Sequence, residues 1–254
     1  MHPNSKIIFD RYGSISQRRE EFLQNLLPAL IDEYGLKTAL DAGCGVGFFS
    51  QCLESMGLEV SAFDARPENV AEARPRYPHV KFHVCNVEDP EVMKLESSDL
   101  VLCFGLLYHL ENPFRAIRNL HGLTNKIMII ESMISPHQMP GATLVDEVHE
   151  IDQSLDLVAF VPSEAGLVKM LYKTGFASVY KPRKLPEHEH FRQSFGYKKR
   201  RTVLIATKLD LASPALLKLS EPIARVIWQK KWGHQAIRLL QFLKKSFNTK
   251  VRMI

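Results

Sequence analysis

Leu40-Asp41-Ala42-Gly43-Cys44-Gly45-Val46-Gly47 is the stretch on which the reading of this chain turns. Thr38-Ala39-Leu40 runs into three glycines in five positions, which predicts a strand ending in a glycine-rich turn. Glycines there let the backbone approach a ligand closely and leave N–H groups facing it. Phe48 to Met56 predicts the helix that follows, and Gly57 its C-terminal stop. The dinucleotide fingerprint G-x-G-x-x-G would need glycine at position 48, where the chain has Phe48. A glycine turn alone is a weak signal. It sharpens because the next predicted strand, Leu58 to Phe63, runs into Asp64, 23 residues after Asp41. A carboxylate at that place can accept both ribose hydroxyls of an adenosine ligand. The competing reading is that Asp64 merely caps the helix beginning at Pro67.

Outward from this turn, the alternation continues. Pro67 to Arg74 predicts a helix and Val80 to Cys85 a strand. Asp99 to Leu107 is a continuous apolar strand, Pro113 to Leu123 a helix and Ile127 to Ile130 a strand. Continuous apolar runs separated by amphipathic helices indicate parallel strands buried on both faces, hence an α/β, doubly wound sheet. Between 135 and 162 the rhythm breaks into an irregular acidic insertion on the substrate side. It resumes with a helix from Ser163 to Thr174, stopped by Gly175, and strands at Ala177 to Tyr180 and Thr202 to Ala206. Upstream, Phe22, Leu23, Leu26, Leu27, Leu30 and Ile31 fall at helical spacing over 15–34, with Pro28 expected to kink or split that helix. Downstream, 214–247 reads as helical.

The run from Leu40 to Gly47 resembles motif I of the class I S-adenosylmethionine-dependent methyltransferases. The resemblance covers roughly 37–209 and includes Phe63-Asp64-Ala65, Cys85-Asn86-Val87-Glu88-Asp89 and Phe104-Gly105-Leu106-Leu107-Tyr108-His109-Leu110. It implies a Rossmann-like sheet of seven strands and S-adenosyl-L-methionine as cofactor. It also implies roles: Asp41 orients the amino-acid end, the backbone of Gly43, Cys44, Gly45 and Gly47 passes beneath the methionine part, and Asp64 with Ala65 holds the ribose. Asn86 and Val87 meet the adenine, and Phe104 belongs to the same cofactor set. Many members have Asp where this chain has Asn86. The amide keeps a carbonyl acceptor, so altered strength rather than lost binding is expected. A looser similarity, to the enzymes that modify the wobble uridine of transfer RNA, keeps RNA among the acceptors to consider.

In a doubly wound sheet the ligand crevice lies at the carboxyl ends of the strands beside the switch point, which puts Tyr108 and His109 near the transferred methyl. A neutral imidazole suits a general base for a hydroxyl acceptor, so His109 is the catalytic candidate; packing beside the cofactor is the plain alternative. Glu131, just after a strand, could bind or deprotonate an acceptor, and His149, in Asp146-Glu147-Val148-His149-Glu150, is a second base candidate. A solvated helix face would explain that acidic stretch equally. His188-Glu189-His190 could place two imidazoles on one strand face, but no third ligand stands at useful spacing, so no metal is expected.

The chain has 254 residues, 45% apolar and 24% charged, which fits an ordinary globular protein and excludes collagen-like or low-complexity disorder. No run reaches the ~18 apolar residues that a spanning helix needs, no signal peptide is expected, and four cysteines without CxxC pairing suit a reducing cytosol. The net charge of +5 hides a division: 1–180 holds 15 Lys and Arg against 24 Asp and Glu, while 181–254 holds 18 against 4. Ala236, Leu239, Leu240, Leu243 and Phe247 form a stripe flanked by basic residues, with Trp228 and Trp232 before it. Such a tail suits packing on the body, a homodimer, an anionic membrane surface or RNA. The expected organisation is an N-terminal helical cover over 1–36, the methyltransferase domain over 37–209 and a basic amphipathic tail over 210–254. A small-molecule oxygen acceptor is the leading reading, with an RNA acceptor or a non-catalytic cofactor-binding protein as alternatives. The expected location is cytoplasmic, with attachment at the inner membrane surface as an option.

Overall fold

The computed structural model describes residues 3–147, 155, 157–192 and 200–223, with side chains from residue 13 onward. Two compact units divide the chain, 1–222 and 223–254. The second lies, but for Ile223, outside the described residues, and with it the predicted helix over most of 214–247.

The α-helices and strands among the described residues are α1 (Pro3–Tyr34), β1 (Thr38–Ala42), α2 (Phe48–Ser55), β2 (Glu59–Asp64), α3 (Pro67–Arg76), β3 (Lys81–Val84), β4 (Ser98–Phe104), α4 (Pro113–Leu123), β5 (Thr124–Met133), β6 (Ala142–Asp146), β7 (Val158–Pro162), α5 (Glu164–Thr174), β8 (Ser178–Pro182), β9 (Arg201–Thr207) and β10 (Leu216–Leu219). The main sheet runs in the order β10-β8-β9-β5-β4-β1-β2-β3. Strands β1 to β5 are mutually parallel, and β9 and β10 run antiparallel to their neighbours. This is the doubly wound α/β sheet that the alternation predicts. The chain reverses order between β1 and β4, so the crevice lies over the carboxyl ends of those two strands.

Apolar side chains alternate between two cores, one on each face. Leu100, Leu102 and Phe104 of β4 turn toward the face that also buries Leu23, Leu27 and Leu30 of α1. Val101 and Cys103 turn toward the face of Ile117, Leu120, Leu167 and Leu171 from α4 and α5. Both sides of a central strand being covered is the reason these strands read as unbroken apolar runs.

Three expectations need correction. The sheet has eight strands rather than seven, because Leu216–Leu219, expected as helix, pairs antiparallel with β8. A short leucine-rich run carries no period that separates helix from strand. Here pairing covers the backbone groups that β8 would otherwise leave at an open edge, and Tyr172 donates to the Leu219 carbonyl. Pro28 does not split α1; it and Gln24, whose carbonyl it leaves without an N–H partner, are on the exposed side, so water serves that carbonyl. The insertion is not wholly irregular either. It contains the hairpin β6–β7, and the Phe160 N–H donates to the Leu110 carbonyl, tying β7 to the chain just beyond His109.

Candidate active site

Asp41, one residue before the end of β1, is buried and accepts a hydrogen bond from Ser50 Oγ at 2.7 Å. Burial pushes its carboxyl up to about 7, against the pull of that hydroxyl. The turn beyond it needs glycine for two separate reasons. Gly43 has φ +72°, and a Cβ there would meet the Leu106 side chain at 3.0 Å; Gly47 has φ +88°, and a Cβ would lie 2.8 Å from the Tyr77 ring. Side chains at either place would close the path along the backbone.

Asp64 locks this turn to the next. Its Oδ2 accepts from the Gly45 N–H at 2.9 Å, and its Oδ1 accepts from the Arg66 N–H at 2.9 Å and from Asn69 Nδ2 at 3.0 Å. Of about four lone-pair positions on a carboxylate, three are taken and one remains for a ligand hydroxyl. The bond to Arg66 leads the chain into α3, so the carboxylate that is the ribose candidate also serves the helix entry. Across the cleft Asn86 Oδ1 accepts from the Glu88 N–H at 3.0 Å, and the Val87 carbonyl accepts from Asn119 Nδ2 at 2.8 Å. Among the described residues no acceptor takes the Val87 N–H.

These groups border a cleft of about 560 Å³, counted to its open mouth, whose walls include Gly43, Asp64, Ala65, Asn86, Val87, Gly105, Leu106 and His109. Cys44, Gly45 and Gly47 belong to the turn beneath it. Phe104 sends its ring away, edge-on to Phe49 at 5.3 Å, as alternation along β4 requires. Burial pushes the Cys44, Cys85 and Cys103 thiols up, so none is poised as a thiolate.

His109 stands on the 3-10 turn Leu107–His109 after β4, and its Nδ1 lies 2.7 Å and 2.8 Å from the two carboxylate oxygens of Glu147. Glu147 is brought there by the hairpin: its N–H donates to the Leu157 carbonyl, one step beyond the β6–β7 ladder. A carboxylate accepts, so Nδ1 carries a hydrogen, and in the neutral tautomer with that hydrogen the lone pair is on Nε2. Glu147 was legible only as one acid in an acidic run, and its partnership with His109 depends on the hairpin. His149 lies outside the described residues.

Tyr108 and Glu131 meet in a second, deeper group. Glu131 is 0% exposed; its Oε2 receives Arg19 Nη2 at 2.8 Å and its Oε1 receives Arg201 Nη1 at 3.1 Å. Arg201 Nη2 donates to Tyr108 Oη at 3.1 Å, and its guanidinium lies over the Tyr108 ring. Glu131 was expected to bind or deprotonate an acceptor. With both oxygens held by guanidiniums it is an anchor for cations, not a proton acceptor. Arg19 and Arg201 carried no local signal in the sequence beyond being basic. His188 and His190 sit at a 3-10 turn, Glu189–Phe191, and not on a strand; their rings are 4.7 Å apart. No group of three metal-ligating side chains occurs among the described residues.

Known proteins agree with this geometry. Residues 40–126 match the family described as a methyltransferase domain. A ubiquinone biosynthesis O-methyltransferase of Xanthomonas campestris pv. campestris (strain B100) is 33% identical over 125 residues, 43% of this chain and 52% of that protein. That of Xanthomonas oryzae pv. oryzae (strain PXO99A) is 36% identical over 83 residues, 31% of this chain and 35% of that protein. The chain thus spans about half or less of the curated relatives it matches. Among solved structures, the N-terminal domain of EvdMO1 with SAH bound aligns at TM-score 0.58 and 19% identity over 76% of this chain and 80% of that one. The magnesium protoporphyrin IX methyltransferase ChlM of Synechocystis PCC 6803, with SAH, aligns at TM-score 0.52 and 18% identity over 76% and 84%. Residues 40–126 thus resemble a methyltransferase domain, and the sheet around them has the fold of these solved structures.

Proposed function

We propose that this chain transfers the methyl group of S-adenosylmethionine to an oxygen of a small-molecule acceptor, with His109 as general base and Glu147 as its positioning residue. The carrying observation is the His109–Glu147 pair at 2.7 Å on the wall of the cleft that Asp64 and the glycine turn build. The relatives that share residues with this chain are named O-methyltransferases, which favours oxygen as acceptor atom.

The residues present suit the cofactor. The remaining lone pair of Asp64 can take a ribose hydroxyl, the Val87 N–H can face an adenine nitrogen, and Asn86 Oδ1 keeps one lone pair for an exocyclic amino group. Asp41, held protonated to near neutrality by burial, ionises more readily beside a cation. When bound, the cofactor supplies an electrophilic methyl on a positively charged sulfur. His109 Nε2 would take the proton that the acceptor's hydroxyl gives up as its oxygen receives the methyl group. The proton ends on the imidazole and Glu147 stabilises the imidazolium. Most of the acceleration comes from holding oxygen and methyl in line.

Thermal unfolding with S-adenosylmethionine, its demethylated product SAH and NAD tests the cofactor. A ligand at ~100 times its Kd adds about 2.7 kcal/mol, or roughly 5–10 °C in Tm for a chain of this size. A shift with the first two and none with NAD is expected; a shift with NAD alone overturns the assignment. SAH formation with a panel of hydroxylated small molecules, and with RNA for comparison, then tests the acceptor. His109→Ala should lower turnover by ~10²-fold or more with unchanged SAH affinity. Unchanged turnover removes His109 from the chemistry.

A further inference from the structure

We propose that Arg19, Arg201 and Tyr108 form a binding site for a carboxylate carried by the methyl acceptor. The inference rests on the reading of the adjoining cleft as the methyl-donor site.

Two guanidiniums, with side chains 8% and 5% exposed, share the single carboxylate of Glu131. Among the described residues the group therefore carries one net positive charge in the interior, which an arrangement serving stability alone would neutralise or avoid. Its hydrogen bonds are also incomplete. Arg19 Nε and Arg201 Nε are buried without an acceptor among the described residues. Tyr108 Oη accepts from Arg201, and its own hydrogen finds no acceptor among the described residues. Both Glu131 oxygens are already engaged. His188 and His190, beside the group, supply no anion: burial foremost, with the neighbouring arginines, holds both imidazoles toward the neutral form, and the Glu189 carboxylate beside them pairs with His190 rather than with either arginine. Unused N–H and O–H donors and one surplus positive charge call for a monoanion that accepts hydrogen bonds, and a planar carboxylate is the natural partner of guanidinium.

The group's place in the fold names the ligand. Gly105 lines the donor cleft, and a Cβ built on it would lie 3.7 Å from Tyr108 Oη and 3.8 Å from Arg19 Nη1. The donors thus back onto the cleft at a residue that has no side chain to screen them. Tyr108 and His109 are adjacent, with ring centroids 4.1 Å apart. An acceptor bearing a hydroxyl and a carboxylate on one small frame can reach the base with the first group and the guanidiniums with the second.

The test uses the full chain saturated with SAH and two probes, 4-fluorobenzoate and 4-fluorobenzamide, followed by fluorine NMR. The acid is expected to bind at least ~10-fold more tightly than the amide, which has the same ring but no charge. Arg201→Gln should remove that preference. Should that variant fail to fold, Tyr108→Phe keeps the ring and should weaken the acid ~5-fold while leaving amide and SAH affinities unchanged. Equal binding of acid and amide, or no binding of either, makes the arginines a clamp between α1, β5 and β9 and overturns the proposal. Binding of the acid to free protein with stoichiometric displacement by SAH also overturns it, since the carboxylate served would be the cofactor's own. If wild type takes up no SAH, the donor reading falls separately, and the acid–amide difference in the free protein still decides this one.

Discussion

Asp41 is buried one residue before the end of β1, and its carboxyl gives up its proton only at about pH 7. In the unfolded chain an aspartate does so near 3.8. Between those values the folded chain holds a proton that the unfolded chain has released, so this group's contribution to stability falls as pH rises across the window. Three pKa units correspond to about 4 kcal/mol as an upper bound. Denaturant unfolding from pH 4 to 8 should show that decline, and Asp41→Asn, which has no proton to exchange, should flatten it. A cationic ligand reverses the preference. Affinity for S-adenosylmethionine should rise between pH 6 and 8 in the wild type, by up to about tenfold per pH unit, and stay level in the variant. A rise of equal size in Asp41→Asn, read by calorimetry, places the proton elsewhere. The same scale shows what sequence could disclose. Asp64 and the glycines announce themselves because the turn that uses them is local. Arg19, Arg201 and Glu147 do not: Glu131 meets Arg201 across 70 residues and His109 meets Glu147 across 38, and only the folded sheet and hairpin bring them together.

One helix start helps to hold the insertion over 135–162 to the body. Ser163, the N-cap of α5, accepts from the Gly166 N–H at 3.0 Å and the Gly141 N–H at 3.2 Å, and donates to the Met139 carbonyl at 2.8 Å. Gly166 lies so close to this junction that a Cβ would stand 2.5 Å from the Gly141 carbonyl oxygen. The cap therefore ties the loop before β6 to the body, and β6–β7 in turn carries Glu147 to His109. Ser163→Ala should cost about 1–2 kcal/mol, a typical cap loss. Gly166→Ala should cost more, because backbone must move. In both, hydrogen exchange should speed up over 139–146 while β1 to β5 keep their protection, and turnover should fall further than cofactor affinity. Uniform loss of protection would mean that the insertion and the sheet open as one body. At this scale the alternation of apolar runs and helices was readable because each element repeats its own period. The strand β10 was not readable, since Leu216, Leu217 and Leu219 suit either period and only the open edge of β8 decides between them.

Charge organises the whole chain. Residues 1–180 carry an excess of nine acids, and 181–254 an excess of fourteen bases. Part of that basic excess meets acids of the first 180 residues inside the described body: Arg201 is buried on Glu131, and Lys181 pairs with Glu164. Lys230, Lys231, Lys244 and Lys245 lie beyond the described residues, in a sequence that pairs them with Trp228, Trp232 and an apolar stripe. Such a composition fits an anionic lipid surface, where each lysine near the surface is worth about 1 kcal/mol at low salt. Vesicles containing phosphatidylglycerol should therefore bind the full chain, and vesicles of phosphatidylcholine alone should not. Binding should weaken as salt shortens the screening length below ~8 Å. Replacing those four lysines by glutamine should abolish it without changing SAH affinity, because none of the four is among the residues named for the cofactor. Absence of vesicle binding in the wild type at low salt ends the membrane reading. The basic end then has to be neutralised by protein or by RNA, and the same four-lysine variant separates these: a shift in oligomeric state on sizing points to a second copy of the chain, and a lost, salt-dependent retention on RNA to nucleic acid.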